Sequence, residues 1–525
     1  MKTWRTVGLL AAAAGLGVGE LIASWVRRDA GPFLAVGSAV VDLTPRPVKD
    51  LAIQVFGPAD KLVLLGGVLL ALALLGMFCG QLAARRLPVA LAVIIVLGVI
   101  GAIAAVTRPD AGFLAAVPSL LGTLSSGLVL VWLSSLTKRR EQELGGRGED
   151  GQPDSKAAAP ARTRTESASD TRRRLLIAGG VVGAGAVGSV VLGRWLSVDR
   201  YGASRSRAAV RIPAPVSTAP RTPEDLAYEI KGLSRFTTPN SHFYRVDTAL
   251  AVPQVPAEEW QLRIHGMVDR PMTMTFRELL DRPLIERDIT LACVSNEVGG
   301  PYVGNARWTG VRLEELLKQA KVAPEADQVV SRSHDGMTIG TPTSAVMDGR
   351  DAMLAVAMNG EPLPLEHGFP VRMVVPGLYG YVSACKWIVE MELTTFQAYD
   401  AYWTKQGWAE RAEIKTASRI DTPRDGATRP AGELVVAGVA WAQHRGISRV
   451  ELQVDDGPWR AASLGESTTA DTWRQWWRRV RLEPGERRLR VRATDGDGQQ
   501  QPSERRAPYP DGATGWHEIT VTVAA

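Results

Sequence analysis

Long apolar stretches fill most of the first 196 residues and constrain the fold more than any other feature of the sequence. Five of them have about 20 residues, the length at which a helix crosses a hydrocarbon layer of roughly 30 Å. They lie at residues 7–26, 62–82, 87–106, 113–136 and 175–196. We therefore predict an N-terminal α-helical transmembrane anchor, with a four-helix region at residues 1–136 and a fifth helix at residues 175–196. The apolar segment 31–41 is too short to span and is predicted to be re-entrant or interfacial.

Lys and Arg beside these stretches predict the orientation, because cytoplasmic flanks carry an excess of positive charge. Successive spans cross the membrane in alternating directions. On this basis four basic clusters fall on the same side, at residues 2–5, 85–86, 138–140 and 172–174. The first loop on the other side disagrees, since residues 27–61 also hold five basic side chains. With five spans, everything after residue 196 is predicted to lie outside the cytoplasm. The chain is thus predicted to be a multi-pass protein of the cell membrane.

Residues 137–174 are rich in Gly, Ser, Ala, Pro and charged residues, and they lack apolar periodicity. This composition predicts a disordered cytoplasmic linker. The linker ends in TRRRLLIAGGVVGAGAVG, a twin-arginine pair before a Gly- and Ala-rich apolar run. The motif resembles a twin-arginine export signal, and an ordinary basic flank of a membrane helix is an equal alternative.

Residue types with special chemistry exclude several classes of function. The net charge of +6 comes largely from basic clusters beside apolar stretches, which fits membrane topology and predicts no nucleic-acid partner. All six His follow residue 196, so the anchor is predicted to hold no bis-histidine haem. Only three Cys occur, which argues against a disulfide framework. Glu20, the single acidic residue inside the spans, is predicted to form a hydrogen bond between helices rather than to mark an ion pathway.

The second half of the chain alternates short strands and helices after a predicted linker at residues 197–234. EWQLRIHGMV, FPVRMVVPG and KWIVEMEL are typical of strands, and TFRELL and RLEELLKQA are typical of short amphipathic helices. ITLACVSN is predicted to be a strand that leads into a loop at Cys293. Residues 235–410 are therefore predicted to form an α+β domain. Residues 411–525 hold short alternating runs separated by Gly, Asp and Pro, which predicts an all-β sandwich with Greek-key connections.

Several of these segments together resemble one family. TPNSHFYRVDT, LACVSN, ARWTGVRLEELL and AMNGEPLPLEHGFPVRMVVPGLYG followed by KWI are similar to motifs of the sulfite oxidase-like molybdopterin-dependent oxidoreductases, here of a membrane-anchored bacterial type. The resemblance implies a molybdenum–molybdopterin cofactor with Cys293 as metal ligand and catalytic residue. It also implies that residues 411–525 are an immunoglobulin-like dimerisation domain, which makes a homodimer possible. Whether Trp473, Trp476 and Trp477 belong to its core or to an interface stays open.

The resemblance also assigns residues to the cofactor site. A soft thiolate suits a redox metal in sulfur-rich coordination, and an anionic pterin with a polar ring edge requires cations and backbone amides. The residues that match cofactor-binding positions of the family are Asn240, Tyr244, Ser333, His367, Arg372, Ser383, Ala384 and Lys386. The alternative for His367 and Arg372 is a surface ion pair with Glu366, and the alternative for Asn240 is a turn or cap. Cys385 is predicted to be a packing residue beside the cofactor.

Departures from the family pattern bear on the substrate. Sulfite oxidases carry basic residues after the cysteine loop, where this sequence has Glu297 and Gly299, and their active-site tyrosine falls near Ile339. Arg245 is retained and is predicted to be catalytic through contact with an anion. The hypothesis is two-electron oxygen-atom transfer on a small molecule or sulfur compound, with a separate electron-transfer protein because no haem-binding domain is visible. The alternatives are a sulfoxide reductase of the methionine sulfoxide type on the same fold, or a non-catalytic membrane-tethered binding protein.

Overall fold

The computed structural model describes residues 2–26, 30–45, 60–108, 111–145, 177–193 and 202–525, together with residues 48, 55–56 and 173. The chain has two compact units, residues 1–201 with 249–251 and residues 202–248 with 252–525. Most of the predicted linker at 137–174 lies outside the described residues, as do residues 171–172 and 174–176 of the twin-arginine motif.

The first unit is helical. Its helices are α1 (Lys2–Val26), α2 (Pro32–Leu43), α3 (Asp60–Val106), α4 (Val117–Gly145) and α5 (Ile177–Gly193). In the described part of the chain, α1, α3 and α4 are long and apolar enough to cross a membrane, whereas α2 and α5 are shorter. Helix α3 contains two predicted spans, separated at Arg86, whose backbone is not helical (φ −143°, ψ 80°). Pro88 follows, and its ring removes a helical hydrogen bond at the position where the two basic residues interrupt the apolar run.

Two features of this unit refine the sequence predictions. Helix α4 continues to Gly145, so residues 137–145 belong to a helix and not to the predicted linker. Lys, Arg, Glu, Gln and Leu are all strong helix formers, so charge alone does not end the helix. Glu20 Oε1 accepts a hydrogen bond from the backbone N–H of Phe33 at 3.1 Å, at the start of α2. The predicted hydrogen bond between helices is therefore made to the backbone of α2.

The second unit contains four sheets. Its first ten strands are β1 (Gln261–Gly266), β2 (Met272–Thr275), β3 (Leu284–Ala292), β4 (Val303–Arg312), β5 (Gln328–Ser333), β6 (Thr338–Pro342), β7 (Met353–Met358), β8 (Glu361–Pro362), β9 (Arg372–Val374) and β10 (Ile388–Thr394). One sheet has the order β3-β4-β7-β8, with β9 paired to β7, and another has the order β2-β1-β10-β5-β6. Only the β1–β10 pair is parallel among these strands.

Short helices join these strands. They are α6 (Ala203–Ala209), α7 (Phe276–Leu280), α8 (Leu313–Ala320), α9 (Thr343–Met347), α10 (Gly380–Ser383) and α11 (Tyr402–Lys405). Helix α7 begins with a capping box, in which the Thr275 side chain and the Glu278 backbone and side chain bond reciprocally. Helix α8 buries Leu313, Leu316 and Leu317 on one face. The predicted α+β domain with both amphipathic helices is confirmed.

The C-terminal part is all-β. Its strands are β11 (Ala417–Thr422), β12 (Thr428–Pro430), β13 (Gly432–Trp441), β14 (Ile447–Val454), β15 (Arg460–Ala461), β16 (Ser463–Leu464), β17 (Arg474–Leu482), β18 (Gly485–Asp495) and β19 (His517–Ala524). They form two sheets, β11-β13-β17-β16 and β12-β19-β18-β14-β15, which share one hydrophobic core. Trp473 and Trp476 are buried in the chain, whereas Trp477 is half-buried. The immunoglobulin-like relationship stays a prediction.

Residues 202–234, assigned to a linker by the sequence, are part of the second unit. Ala203 and Ser206 of α6 are buried, and the Ser206 hydroxyl contacts Glu258 at 2.5 Å. Ser217 forms a bridge to Ile285 of β3. The linker prediction is corrected here because small and Pro-flanked residues can pack closely without any apolar periodicity.

Candidate active site

Cys293 lies immediately after β3, whose nine residues pair with β4 from end to end. The Cys293 backbone N–H donates to the Tyr302 carbonyl at 2.9 Å, and the Cys293 carbonyl accepts from the Asn296 N–H at 3.1 Å. The Asn296 side-chain oxygen accepts from the Tyr302 N–H at 2.7 Å, which closes the cysteine loop, residues 293–302. The sulfur is therefore held at a fixed point by the sheet and by the loop's own hydrogen bonds.

The surroundings of the Cys293 thiol act on its pKa in opposite directions. Burial raises the pKa of Cys293, whereas hydrogen bonds from Ser295 and the charge of Lys386 lower it. A metal ion at this sulfur would deprotonate it outright. The described residues contain no group of three or more His, Cys, Asp and Glu that could hold a metal ion.

Three separate segments converge beside the cysteine loop at Gly380, the first residue of α10. A Cβ atom placed on Gly380 would lie 3.8 Å from the Tyr244 hydroxyl, 3.7 Å from the Ala292 carbonyl oxygen and 3.8 Å from the Ala384 Cβ. Burial and the neighbouring Cys293 raise the pKa of Tyr244, and Arg372 opposes that rise. The structure thus brings Tyr244, Ala384 and the strand end before Cys293 together.

Arg372 on β9 is a buried cation without an anion. Its side chain donates to the His367 carbonyl at 3.2 Å, and its guanidinium lies 4.9 Å from the ring centre of Trp308. Among the described residues, no carboxylate forms an ion pair with it, and its Nε has no hydrogen-bond partner. Burial lowers the pKa of Arg372 to about 10. An unpaired buried charge is costly, so this position fits an anionic group such as a pterin phosphate.

Lys386 and Arg245 share one carboxylate. Asp247 Oδ2 lies 2.7 Å from Lys386 Nζ and 2.7 Å from Arg245 Nε, and the Asp247 side chain is buried. Burial lowers the pKa of Lys386 to about 8, although Asp247 opposes that change. Arg245 is exposed over about a third of its side chain, so it faces the solvent side of this group. Sequence reasoning missed Asp247, although it stands two residues after Arg245 in the TPNSHFYRVDT segment.

His367 and Asn240 connect two loops to each other. His367 is buried and its Nε2 lies 3.0 Å from the Asn240 carbonyl oxygen, which can only accept, so Nε2 carries the proton. Burial lowers the pKa of His367 to about 4, and the ring is therefore neutral near pH 7. The Asn240 amide donates to Glu361 at 2.6 Å and accepts from Asn359 at 2.8 Å. Asn240 thus holds a loop about 120 positions away in sequence, and its side chain forms no cap or turn hydrogen bond among the described residues.

The remaining predicted residues differ in whether their polar atoms are free. The Ser383 hydroxyl donates to the Leu378 carbonyl at 2.9 Å. The buried Ser333 hydroxyl has no partner among the described residues, so it is available to a ligand. Cys385 is buried with its sulfur 3.8 Å from the Lys386 carbonyl, consistent with the predicted packing role. The alternative of a surface ion pair with Glu366 does not form in the described chain, because both His367 and Arg372 are buried.

The C-terminal part of the unit supports the cysteine loop, which sequence reasoning did not find. Arg419 on β11 donates to the Gly300 carbonyl at 2.8 Å. The His517 ring packs against Gly299, where an added Cβ would lie 2.3 Å from the ring. His517 Nδ1 accepts from the Ile420 N–H at 2.9 Å, and burial lowers the pKa of His517 to about 4. More than one hundred residues separate Arg419 and His517 from the cysteine loop, so no local pattern indicates these two contacts.

The buried Cys293 thiol thus lies near Lys386 and Tyr244, and Tyr244 lies near the unpaired Arg372, an arrangement that suits a protein holding an anionic cofactor beside one thiolate. Residues 249–403 match the model of the oxidoreductase molybdopterin binding domain. Sulfite oxidase of Gallus gallus is 31% identical over 317 residues, covering 51% of this chain and 68% of that protein. The uncharacterised oxidoreductase YuiH of Bacillus subtilis is 34% identical over 155 residues, covering 30% of this chain and 75% of that protein. The chain belongs to the sulfite oxidase family of molybdopterin-dependent oxidoreductases.

Other similarities cover less of the related protein or show weaker agreement. Human mitochondrial sulfite oxidase is 28% identical over 342 residues, covering 55% of this chain and 62% of that enzyme. This chain therefore spans less than two thirds of that relative's length. The crystal structure of the sulfane dehydrogenase SoxCD from Paracoccus pantotrophus superposes with a TM-score of 0.48 and 24% identity, covering 55% of this chain and 84% of that chain.

Proposed function

We propose that the chain is a membrane-anchored molybdopterin enzyme that catalyses two-electron oxygen-atom transfer on a small molecule or sulfur compound outside the cytoplasm. The single observation that carries the proposal is the buried, unpaired Arg372 guanidinium in the group that includes Tyr244 and Lys386. A buried cation of this kind costs free energy that an anion bound beside it would offset. The sulfite oxidases among the relatives support a sulfur compound as substrate.

The residues of the group suggest a division of roles. Cys293 would ligate the molybdenum, while Arg372, Lys386 and the Ser333 hydroxyl would hold the pterin and its phosphate. The walls of the cofactor site would be formed by the remaining predicted residues, which are Asn240, Tyr244, His367, Ser383 and Ala384. When bound, the cofactor supplies two-electron oxidation and reduction coupled to transfer of an oxygen atom. Arg245, the most exposed cation of the group, would orient the substrate.

Two further parts of the proposal rest on the apolar helices and the C-terminal sheets. The three long apolar helices support a membrane anchor, and the basic flanks support a catalytic unit outside the cytoplasm. Electrons would pass to or from a separate carrier. The C-terminal region would be an immunoglobulin-like domain, and a homodimer could form through it. Protease added to the outer face of intact cells should cleave residues 202–525, whereas cleavage only after lysis would reverse the orientation.

Elemental analysis of the purified full chain tests the proposed metal ligand. Wild-type protein should contain about one molybdenum per chain, and Cys293→Ser should lose it while keeping its fold by circular dichroism. Cys385→Ala is the matched control, because its sulfur is buried in packing and should not affect molybdenum content. Equal molybdenum in wild type and Cys293→Ser would remove Cys293 from the metal, and absence of molybdenum from all three would favour a non-catalytic binding protein.

A sulfoxide reductase is the second candidate, favoured by one observation. Glu297 is exposed on the cysteine loop, so this side of the site is acidic where sulfite oxidases carry basic residues. A neutral sulfoxide is repelled less by Glu297 than a sulfite anion would be. A panel of sulfite, thiosulfate and methionine sulfoxide, assayed in both directions with artificial electron carriers, separates the two. Turnover of sulfite alone would exclude the reductase.

A further inference from the structure

The helical unit contains an elongated apolar cavity that no role described so far uses. It has a volume of about 270 Å³ between α1, α2, α3 and α4, close to the lower end of the range of roughly 300–1,000 Å³ for sites that bind organic ligands. Its lining on α4 extends from Ser119 to Leu130, which is about 16 Å at 1.5 Å per residue. The cavity is therefore long and narrow enough for a ring followed by a hydrocarbon tail.

Close helix contacts beside the cavity keep it from collapsing. A Cβ on Gly15 would lie 2.7 Å from the Gly122 carbonyl oxygen, and a Cβ on Gly8 would lie 2.0 Å from the Gly76 carbonyl oxygen. At these points the backbones already touch, so the helices cannot move closer to fill the space between them. The space is thus fixed by the packing of the helices around it.

One polar group in this apolar lining has no partner. Ser119 is 3% exposed, it lines the cavity, and its hydroxyl oxygen makes no hydrogen bond within the described residues. On the facing helix α3 stands Gly101, where an added Cβ would lie 3.1 Å from that oxygen. A buried hydroxyl without a partner costs free energy. A ligand with a hydrogen-bond acceptor at this end of the cavity would remove that cost.

The walls also indicate where the ligand comes from. Leu9, Leu69 and Leu75 line the cavity and are exposed, so the cavity is open between the helices, where the proposed function places membrane lipid. A ligand entering there would first dissolve in the hydrocarbon layer. An acyl ester and a quinone each have a carbonyl for Ser119 and an apolar tail for the walls. A quinone also carries two electrons, which suits a member of an oxidoreductase family.

We propose that this cavity binds a membrane quinone, with one ring carbonyl accepting a hydrogen bond from the Ser119 hydroxyl and the tail extending along α4 toward Leu130. The proposal rests on the membrane anchor of the proposed function and adds a lipophilic ligand to it. The topology proposed above places the Ser119 end of the cavity at the side of the membrane outside the cytoplasm.

Binding of decylubiquinone to the full chain in lipid nanodiscs tests the proposal. Ser119→Ala should weaken binding by about three- to tenfold, the effect of one lost neutral hydrogen bond. Ala73→Phe, which puts a ring into the cavity from α3, should abolish binding. Ser135→Ala is the matched control on α4, because Ser135 is exposed and its hydroxyl bonds the Trp132 carbonyl at 2.7 Å. It should bind like wild type.

Equal affinity in wild type and Ser119→Ala, or uptake no greater than by empty nanodiscs, would overturn the proposal. Phospholipid retained by wild type and lost from Ala73→Phe, with no quinone bound, would instead assign the cavity to an acyl chain and also overturn it. Molybdenum content and turnover with an artificial electron carrier, measured on the same samples, should be normal in all three variants. A failure of the proposed function would appear in those two measurements, whereas a failure of the quinone proposal would not.

Discussion

Arg372 and Lys386 hold their positive charges in different ways. Asp247 compensates Lys386, whereas no described carboxylate compensates Arg372. The free chain therefore carries an unfavourable buried charge at Arg372 that an anion can relieve. The charge of Lys386 is only partly compensated, because Asp247 is shared with Arg245, and it responds to pH.

The Arg372→Ala substitution should weaken binding of the pterin more than it slows the chemical step. A charge-assisted hydrogen bond contributes about 1.5–3 kcal/mol, so cofactor binding should weaken by roughly ten- to a hundredfold. Pterin content per chain and turnover per loaded site measure the two effects separately. Arg245→Ala is the comparison, since it should load fully and turn over poorly. A fully loaded but inactive Arg372→Ala protein would place Arg372 at the substrate instead.

Cofactor retention should weaken above about pH 8. The pKa of Lys386 is lowered to about 8 from 10.5 by burial, so in the cofactor-free chain the ammonium loses its proton there. An anion binds the charged form better, and affinity should therefore fall by up to about tenfold per pH unit as pH rises past 8. Pterin retained after dialysis between pH 7 and pH 10 measures this. In Lys386→Arg, whose side chain stays charged, pterin retention should not change with pH. Retention equally independent of pH in wild type would show that Lys386 does not bind the cofactor.

At the scale of elements, the cysteine loop is held from two sides. Strand β3 fixes its beginning, and the Thr290 hydroxyl on that strand donates to Asn305 at 2.9 Å and accepts from the Trp473 N–H at 2.7 Å. Arg419 and His517 hold its far end. The position of the sulfur therefore depends on strands of the C-terminal sheets as well as on the domain that carries Cys293.

Gly299→Ala should displace this loop. The backbone of Gly299 has φ +80°, and a Cβ there would lie 2.3 Å from the His517 ring. We expect a loss of about 1–3 kcal/mol from backbone strain alone, with a further loss from the clash and lower molybdenum content. Gly498→Ala is the control for strain, because Gly498 has φ +82° with open space around it. Recovery of molybdenum in the double variant Gly299→Ala/His517→Ala would identify the clash, whereas normal loading of Gly299→Ala would contradict this role of His517.

At the scale of the whole molecule, residues 202–525 behave as one compact unit. The core of the cofactor domain includes Val439, Trp441 and Trp473 from the C-terminal sheets. The Trp473 indole donates to the Phe236 carbonyl at 2.9 Å, and the Gln443 amide donates to the Thr290 carbonyl at 2.8 Å. The two regions therefore share hydrophobic surface and buried hydrogen bonds.

The fragment 202–416 should fail to fold, whereas 202–525 should unfold in a single cooperative transition. Removing the C-terminal strands exposes the surface that Trp441 and Trp473 cover, and loss of a buried Trp side chain alone costs about 3–5 kcal/mol. Thermal melts followed by circular dichroism and by binding of a hydrophobic dye distinguish the cases. A soluble fragment 202–416 with its own sharp melt would show that the cofactor domain is independent.

Short-range patterns in the sequence predicted many of the helices and strands of this protein. The apolar stretches predicted the long helices, and the basic pair Arg85 and Arg86 predicted the break in α3, because span length and charge are local properties. Alternation of apolar and polar residues predicted the strands, because this periodicity extends over only a few residues. The predicted end of the strand ITLACVSN placed Cys293 in a loop, and β3 does end at Ala292. The family motifs then indicated the cofactor and most of the residues near it.

Tertiary structure alone decided which of those residues are free to bind. Asn240 and Ser383 match the family pattern, yet their side chains are engaged by Glu361, Asn359 and the Leu378 carbonyl. Arg372 matches it equally and is left unpaired. Lys386 and Asp247, which form an ion pair, stand 139 positions apart in the sequence. His517 and Gly299 of the cysteine loop, which pack together, stand more than 200 positions apart. Chain folding sets such contacts, because burial and partner choice depend on every element packed around a side chain and not on its neighbours in sequence.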